Sequence, residues 1–422
     1  METLRNASVP SAMMGRPGGG TERVDIAIAD GRIANIVPPA AGPGRDLDGG
    51  LVLPAFVDIH THLDKGHIWP RRGNADGTWE TALRQSLADT AERWSAADVA
   101  RRFEFALRCA YAHGTAAIRT HLESAPPQHG ISWELFSDIR ERWRGRIELQ
   151  AVSLYGPDTM VDLPQLDEVS RTVKQYGGIL GGSLRSFARS KEAVLNAIDT
   201  AGRLGLDIDL HADETGDPNS HALEHLAEAV IETGYDGRVV AGHCCVLTVQ
   251  DEATQKRTIE KVARAGISIV SLPMCNLYLQ DRNPAGGITP TRRGVTLLHE
   301  FRAAGVPVAI ASDNTRDPFY AYGDLDALEV LREGARILHF DHPQDDAWNW
   351  ARTVLAEAAS IAGFDYTAEI RVGAPADLVL FRARNWTELL SRPQSDRIVL
   401  RGGIAIDTSL PDYRELDDLM EA

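Results

Sequence analysis

Short apolar segments of the kind found in buried strands alternate with helical patterns through most of the chain. Eight such segments occur: LVLPAFVDIH, TAAIRTH, RIELQAVSLY, GGILGGSL, LDIDLHAD, RVVAGHC, ISIVSLPM and VPVAIASD. Helical patterns separate most of them, and SAADVARRFEFALRCAYAHG is one of four that end at the glycine typical of a helix C terminus. This alternation implies parallel strands, and the nearly continuous apolar runs imply strands that are buried on both faces.

The number of these units predicts an α/β fold, a (β/α)8 TIM-type barrel that spans residues 54–365. A doubly wound open sheet is the alternative, but no glycine-rich phosphate-binding turn follows the first strand. Both ends of the chain are rich in β-type segments, among them the hairpin pattern VDIAIADGRIANIV around Asp30-Gly31. We therefore expect residues 1–53 and 366–422 to form one small β-sandwich domain.

The net charge indicates which classes of partner are excluded, and the spacing of the cysteines indicates the cellular compartment. The formal net charge of −16 at pH 7 argues against nucleic acid and against anionic membrane surfaces as partners. None of the four cysteines forms a CxxC pair, and neither a leader pattern nor an apolar segment of membrane-spanning length occurs. We therefore expect a cytoplasmic protein. The sequence leaves open whether the chain forms a homo-oligomer.

Polar residues gather where the predicted strands end, which is where barrels of this type carry their catalytic groups. His60 and His62 share one face at the end of the first strand, because side chains alternate along a strand. The fifth strand ends at His211, the sixth at His243 and the eighth at Asp313. A single histidine is more often a satisfied polar residue than a ligand, but this set in register predicts a metal site. Imidazoles with one carboxylate suit Zn²⁺ or Fe²⁺ rather than Mg²⁺ or Ca²⁺.

The same strand ends supply groups that can move protons. A divalent ion with an open position lowers the pKa of its water towards neutrality and makes hydroxide available. Asp313 is placed to accept the proton of that water, and Glu214, one helical turn past His211, is placed to pass a proton to a substrate. The sequence therefore predicts hydrolysis at a metal centre.

Four motifs, HTHLDK, HADE, AGHCC and SDNTRDPF, resemble those of the amidohydrolase superfamily, and the likeness runs nearly from end to end of the chain. Within it, the motifs are similar to those of the bacterial cytosine deaminase branch, which includes N-isopropylammelide isopropylaminohydrolase. The resemblance implies that one Zn²⁺ or Fe²⁺ is bound by His60, His62, His211 and Asp313. It also implies that Glu214 is the proton shuttle and that His243 hydrogen-bonds the attacking water or the developing tetrahedral centre. The segment GGILGGSL lacks the lysine that binuclear members carry on the fourth strand, which favours one metal.

The chain departs from the cytosine deaminases where those enzymes recognise their substrate. Tyr155 and Gly156 stand in place of a glutamine that binds the pyrimidine edge, and Phe319 stands in place of a tryptophan. The predicted substrate contacts are Lys65, His121, Tyr155, Gly156, Asn314 and Phe319. We therefore expect cytosine to be a poor substrate, and we expect a larger or differently substituted heterocycle to be preferred.

We predict a metal-dependent hydrolytic deaminase of an amino-substituted nitrogen heterocycle, in which metal-bound hydroxide attacks the amino-bearing carbon and ammonia leaves. A ring-opening cyclic amidohydrolase and an amine-releasing aminotriazine hydrolase are the alternatives. A binding protein without turnover is a third hypothesis, but such a protein has no need of a proton shuttle such as Glu214.

Trp69, Trp79 and Trp94, in the segment after the first strand, either cover the pocket or pack helices together. Arg185 either contacts a substrate oxygen or lies at the surface.

Overall fold

The computed structural model describes residues 2–16, 19–185, 187–292, 294–342 and 347–421. The strands are β1 (Glu2–Pro10), β2 (Thr21–Ala29), β3 (Arg32–Val37), β4 (Arg45–Asp46), β5 (Val52–Pro54), β6 (Phe56–Thr61), β7 (Thr115–Glu123), β8 (Glu148–Leu154), β9 (Leu180–Leu184), β10 (Ile208–Ala212), β11 (Val239–His243), β12 (Ser268–Ser271), β13 (Val308–Ile310), β14 (Leu378–Leu380), β15 (Ile398–Arg401) and β16 (Ile404–Ala405). The α-helices are α1 (Trp79–Arg93), α2 (Ala96–His113), α3 (Gln128–Arg142), α4 (Pro157–Val161), α5 (Leu163–Gln175), α6 (Ser190–Leu204), α7 (Ala222–Thr233), α8 (Glu252–Ala265), α9 (Pro273–Leu279), α10 (Leu298–Ala303), α11 (Ala327–Leu338), α12 (Ala347–Ala351), α13 (Ala356–Ala362), α14 (Trp386–Ser391) and α15 (Asp417–Met420).

Parallel strands occupy the middle of the chain, and each of the eight predicted apolar segments contains one of them. β6, β7 and β8 form one parallel sheet, and a second runs in the order β13-β12-β11-β10-β9. Isolated parallel bridges between Thr61 and Asp313 and between Val152 and Ile179 join the two sheets at both of their edges. The protein is thus a mixed α/β structure whose parallel strands direct their carboxyl ends to the same side.

The helix α2 shows how local sequence sets the boundaries of these elements. Ser95 Oγ accepts a hydrogen bond from the backbone N–H of Asp98 at the helix start, and Gly114 follows the last turn with a φ of 95°. A side chain is disfavoured in that left-handed conformation, and a Cβ on Gly114 would lie 2.9 Å from Cγ2 of Val379. Glycine therefore ends α2 and also permits its close approach to β14.

The two ends of the chain form two further sheets of four strands each, in the orders β3-β2-β1-β4 and β16-β15-β14-β5. The predicted hairpin is confirmed, because β2 and β3 pair antiparallel, and Asp30 and Gly31 have φ values of 51° and 74°. Positive φ at both central positions gives a two-residue turn whose twist matches that of the strands. β5 pairs antiparallel with β14, so segments from both ends of the chain share one sheet.

One cluster of buried apolar side chains connects the terminal sheets, the parallel strands and the surrounding helices. Its members include Ile26, Phe56, Val240, Phe301 and Val379. All four cysteines are buried and free. Within the described residues, none of the helices has both the length and the apolar composition that crossing a membrane requires.

A buried ionic network ties α2 to the loop that follows β6. The Arg102 side chain is fully buried and donates hydrogen bonds to the backbone carbonyls of Asp64 and Gly66. Its guanidinium also donates to Asp98 Oδ2 at 2.6 Å, and Asp98 accepts a second bond from Arg71 at 2.6 Å. Because this loop carries Lys65, the network determines where that side chain lies.

We expect Arg102→Met to lower the free energy of unfolding by about 3–5 kcal/mol, because the change leaves buried carbonyls and a buried carboxylate without their donor. Urea unfolding followed by circular dichroism measures the loss. Arg101→Met is the matched control on the same helix, since Arg101 pairs with Asp418 at the surface and should contribute at most about 1 kcal/mol. Equal losses in the two variants would contradict this role for Arg102.

Candidate metal centre and active site

Four side chains at the carboxyl ends of β6, β10 and β13 bring possible metal-ligand atoms close together. They belong to His60, His62, His211 and Asp313. His60 Nε2 lies 3.1 Å from His211 Nε2, which lies 3.3 Å from His62 Nε2. Asp313 Oδ1 lies 3.1 Å from His62 Nε2 and 3.7 Å from His60 Nε2. All four side chains are buried. The four predicted metal ligands are therefore side by side.

The backbone of the strands produces this convergence. His60 is the penultimate residue of β6, His62 follows that strand directly, and His211 lies on β10. The backbone N–H of Asp313 donates to the carbonyl of His60 at 2.8 Å, so the end of β13 is held against the end of β6. Asp313 itself has a φ of 64°, a conformation that turns the chain just beyond the strand.

The chemistry of these four groups fits a divalent metal ion. Burial lowers the pKa of His60 and His211 well below the usual value and lowers that of His62 to about 4, so the three rings are neutral near pH 7. Burial acts to raise the pKa of Asp313, but the hydrogen bond with His62 and the charge interactions with nearby imidazoles outweigh it, and the net pKa is lowered. A tetrahedral ion with bonds of about 2.0–2.1 Å separates its ligand atoms by about 3.3 Å. The four separations given above, from 3.1 to 3.7 Å, are close to that value, so these imidazoles and the carboxylate could hold a metal ion.

Glu214 and His243 lie beside this cluster. His243 ends β11, and its Nδ1 lies 3.7 Å from Glu214 Oε1 and 3.1 Å from the side-chain amide nitrogen of Asn276. The second Glu214 oxygen, Oε2, accepts a hydrogen bond from Trp79 Nε1 at 2.6 Å. Burial raises the pKa of Glu214, and the Asp313 carboxylate adds to that effect, while His243 and Trp79 oppose it. The net shift favours the protonated form of this carboxyl.

A cavity of about 430 Å³ opens onto these groups. Five of the six predicted substrate contacts line it: Lys65, Tyr155, Gly156, Asn314 and Phe319. Other lining residues include His62, His211, Glu214, His243 and Asp313. The volume is in the range of sites for small organic ligands.

Lys65 is buried at the wall of the cavity rather than solvated in a loop. Its ammonium lies 4.8 Å from the ring centroid of Phe319. Glu123 lines the same wall, where burial raises the pKa of its carboxyl to about 7 against the opposing charge of Lys65. Lys65 is therefore a buried cation that lines the cavity beside a buried carboxyl group.

His121 lies outside the cavity lining, although the sequence predicts a substrate contact there. Its ring centroid lies 4.0 Å from that of His60 and 4.6 Å from that of His211. His121 Nε2 also lies 4.0 Å from Asp209 Oδ1. The structure thus places His121 against the rings of two predicted ligands.

Helix α1 and Arg185 supply further residues that line the cavity. Trp79 lines the cavity, as one of the two sequence hypotheses expects, and its hydrogen bond to Glu214 has no counterpart in the sequence pattern. Leu83 and Leu87, from the same helix, are exposed apolar residues that line the cavity. Arg185 also lines it and lies with its guanidinium 4.0 Å from the Trp79 ring. The sequence signal for these residues is that α1 is the first helix after β6, whose end carries His60 and His62.

We expect His60→Ala and His211→Ala each to lose most of the bound metal, because each removes one of four converging ligand atoms. Elemental analysis by plasma mass spectrometry measures the metal per chain, and circular dichroism checks the fold. His225→Ala is the control, since His225 hydrogen-bonds Ser190 away from the cavity and should keep the wild-type metal content. Wild-type metal content in both ligand variants would contradict the assignment.

The chain is similar to several known proteins in sequence and in structure. The sequence profile of the amidohydrolase family matches residues 156–404. The chain is 54% identical to a pterin deaminase of Rhizobium rhizogenes, over 99% of this chain and 97% of that protein. A crystal structure of 5-methylcytosine deaminase from Klebsiella pneumoniae with 5-fluorocytosine superposes with a TM-score of 0.83 at 25% identity, covering 97% of this chain and 98% of that one. N-isopropylammelide isopropylaminohydrolase from Burkholderia multivorans superposes with a TM-score of 0.73 at 26% identity, covering 97% and 100%.

These similarities confirm two predictions made from the sequence. The resemblance to the deaminase branch of the amidohydrolase superfamily is confirmed by the family match and by these relatives. The predicted hydrolase of carbon–nitrogen bonds, a hydrolytic deaminase of a nitrogen heterocycle, is confirmed by the same relatives. The chain belongs to the amidohydrolase family.

Proposed function

We propose that the protein is a metal-dependent pterin deaminase, which hydrolyses the amino group from a 2-amino-4-oxopteridine ring and releases ammonia. The observation that carries this proposal is the 54% identity to a pterin deaminase over 99% of this chain. The replacement of the expected glutamine by Tyr155 and Gly156 also supports a substrate other than cytosine. A bicyclic ring is consistent with the cavity of about 430 Å³.

We propose that one Zn²⁺ or Fe²⁺ ion is held by His60, His62, His211 and Asp313. Mixed imidazole and carboxylate donors favour these borderline ions over hard cations that prefer oxygen. When bound, the ion supplies Lewis acidity, which makes water a nucleophile near neutral pH. The strand β9 (Leu180–Leu184) contains no lysine that could bridge a second ion, and this supports a single metal.

The proton transfers of the proposed reaction fall to Glu214, His243 and Asp313. Asp313 is adjacent to the ligand nitrogens and can accept a proton from the attacking water. Glu214, whose pKa is raised by burial, can deliver a proton to the ring nitrogen beside the amino-bearing carbon and then to the departing amine. His243 is 3.7 Å from Glu214 Oε1 and can donate a hydrogen bond to the oxygen of the attacking water or of the developing tetrahedral centre.

The cavity walls supply contacts that suit an oxo-substituted aromatic ring. The Lys65 ammonium can donate to a ring carbonyl oxygen, and the Phe319 ring offers an apolar face for stacking. Tyr155 and Asn314 border the same space. A Cβ at Gly156 would meet no atom within 4 Å, so this position leaves room at the end of β8. We propose that these five residues contact the substrate, whereas His121 supports His60 and His211 from outside the cavity.

We also propose the architecture in which this site is built. β6–β13 and their helices form a (β/α)8 barrel of residues 54–365, which the bridges at both sheet edges support. The terminal sheets form a β-sandwich domain of residues 1–53 and 366–422, which the pairing of β5 with β14 supports. Four buried, free cysteines support a cytoplasmic location.

We expect the wild-type enzyme to convert pterin to the 2,4-dioxo product with release of one ammonia per ring. We expect cytosine to show a kcat/KM below about 10⁵ M⁻¹s⁻¹, because a site built for other polar groups leaves its hydrogen bonds unmatched. Chromatography of the product and a coupled ammonia assay make the comparison across pterins, aminopyrimidines, aminotriazines and cyclic amides. Efficient turnover of cytosine, or turnover of an aminotriazine without pterin, would contradict the proposed substrate.

Glu214→Gln should retain the metal and the fold but lose about 10²–10⁴-fold in kcat, because the amide keeps the shape and cannot transfer the proton. Steady-state kinetics with pterin and metal analysis of the same preparation test this expectation. A kcat near that of the wild-type enzyme would transfer the shuttle role to another residue, with His243 the nearest candidate.

A further inference from the structure

The indole of Trp79 binds the carboxylate that the proposed mechanism uses for proton transfer. Trp79 Nε1 donates to Glu214 Oε2 at 2.6 Å, although the two residues are 135 positions apart in the chain. The other oxygen, Oε1, lies 3.7 Å from His243 Nδ1. Glu214 is buried, so water does not compete freely for Oε2. The two carboxylate oxygens therefore have different environments.

The position of Trp79 is itself held by several contacts. Trp79 is the first residue of α1, and Thr78 caps that helix by accepting a hydrogen bond from the backbone N–H of Thr81. The Asn74 side-chain amide donates to the carbonyls of Thr78 and Pro318, which joins this turn to the segment that precedes Phe319. These bonds keep the start of α1 against the wall of the cavity.

The Trp79 ring is also packed on two sides. The Arg185 guanidinium lies 4.0 Å from the ring centroid, and Arg185 Nε donates to the backbone carbonyl of Glu214 at 2.6 Å. The Phe319 ring meets Trp79 edge to face at a centroid distance of 5.9 Å. Trp79 and the backbone of Glu214 are thus connected to the same arginine, which limits the movement of one relative to the other.

We propose that Trp79 is a positioning residue for proton transfer: its indole N–H occupies Glu214 Oε2 and so leaves Oε1 as the oxygen that carries the shuttled proton. This inference rests on the proposed function, because it requires Glu214 to be the shuttle. A carboxyl with both oxygens free can rotate between equivalent states, whereas a charge-assisted N–H···O bond selects one. The indole N–H remains in place after the proton has left, so it also stabilises the carboxylate that remains.

Trp79→Phe tests this role, since it removes the N–H and keeps an aromatic ring against Phe319 and Arg185. We expect kcat for pterin to fall by about tenfold or more, the value of a hydrogen bond to a charged group, while KM changes by less than about twofold. The metal content should equal that of the wild-type enzyme. Trp94→Phe is the matched control, because Trp94 Nε1 donates to Asp89 Oδ2 at 2.8 Å near the end of the same helix and outside the cavity lining.

A double-variant cycle separates positioning from a general structural effect. In the Glu214→Gln background, Trp79→Phe should change the residual kcat by less than about twofold, because the carboxylate that Trp79 orients is already absent. A loss of the same size in both backgrounds would show that Trp79 acts through packing alone and would overturn the proposal. Wild-type kcat in the Trp79→Phe single variant would overturn it as well.

A second variant and the activity of the wild-type enzyme cover the cases in which Trp79→Phe does not fold or the proposed function fails. If Trp79→Phe does not accumulate as folded protein, site-specific incorporation of benzothienylalanine at position 79 replaces the N–H by sulfur in a ring of the same shape, with the same expected loss of kcat. Failure of the proposed function has a different signature: the wild-type enzyme does not deaminate pterin, or Glu214→Gln keeps full activity. Pterin turnover that depends on Glu214 but not on the indole N–H rejects only the role of Trp79.

Discussion

The backbone N–H of Asp313 donates to the carbonyl of His60, and this hydrogen bond joins the last of the parallel strands to the first. The same contact brings together the first and last predicted metal ligands, although the chain places them 253 positions apart by number (313 minus 60). Asp58 reinforces it, because its carboxylate accepts hydrogen bonds from the backbone N–H and the hydroxyl of Ser312. The contacts that link the two parallel sheets at this edge therefore also hold His60 next to Asp313.

Burial of charge is the second feature of the site. Burial raises the pKa of Asp58, Asp64 and Asp317 to about 6 and that of Glu123 to about 7. Such an excess of buried carboxyls is costly unless positive charge lies nearby. The Lys65 ammonium opposes the shifts of three of these groups, and the Arg102 guanidinium opposes that of Asp64. A divalent cation at the ligand cluster would add positive charge at the centre of this region.

The segment after β6 connects this electrostatic core to the mouth of the cavity. Its loop carries Lys65 and is held by Arg102, and its helix α1 begins with Trp79 and continues with Leu83 and Leu87 at the cavity wall. The two leucines line the cavity, and the indole N–H donates a hydrogen bond to Glu214, the proposed proton shuttle. One contiguous part of the chain thus supplies apolar cavity wall, a buried cation and a contact to Glu214.

The local sequence determined much of this arrangement. Apolar runs of strand length predicted all eight strands of the two sheets in the middle of the chain, and the period of two along a strand predicted that His60 and His62 share a face. The position of polar residues at strand ends then indicated His211, His243, Glu214 and Asp313, because the carboxyl ends of parallel strands lie on the same side. Each of these predictions depends only on neighbouring residues or on a regular repeat. One amino-acid sequence was therefore sufficient to make them.

The tertiary structure alone decided the contacts that follow no such repeat. His121 has the same strand-end position as the ligands, yet its ring packs beside His60 and His211 instead of facing the cavity. The hydrogen bond from Trp79 to Glu214 depends on how α1 packs near the end of β10. No periodicity in the sequence predicts that packing. The sequence by itself determined which chemical groups reach the carboxyl end of the strands, because strand geometry is local. Which of them touch one another was decided only by packing, because side-chain direction and loop path depend on residues that are distant in the chain.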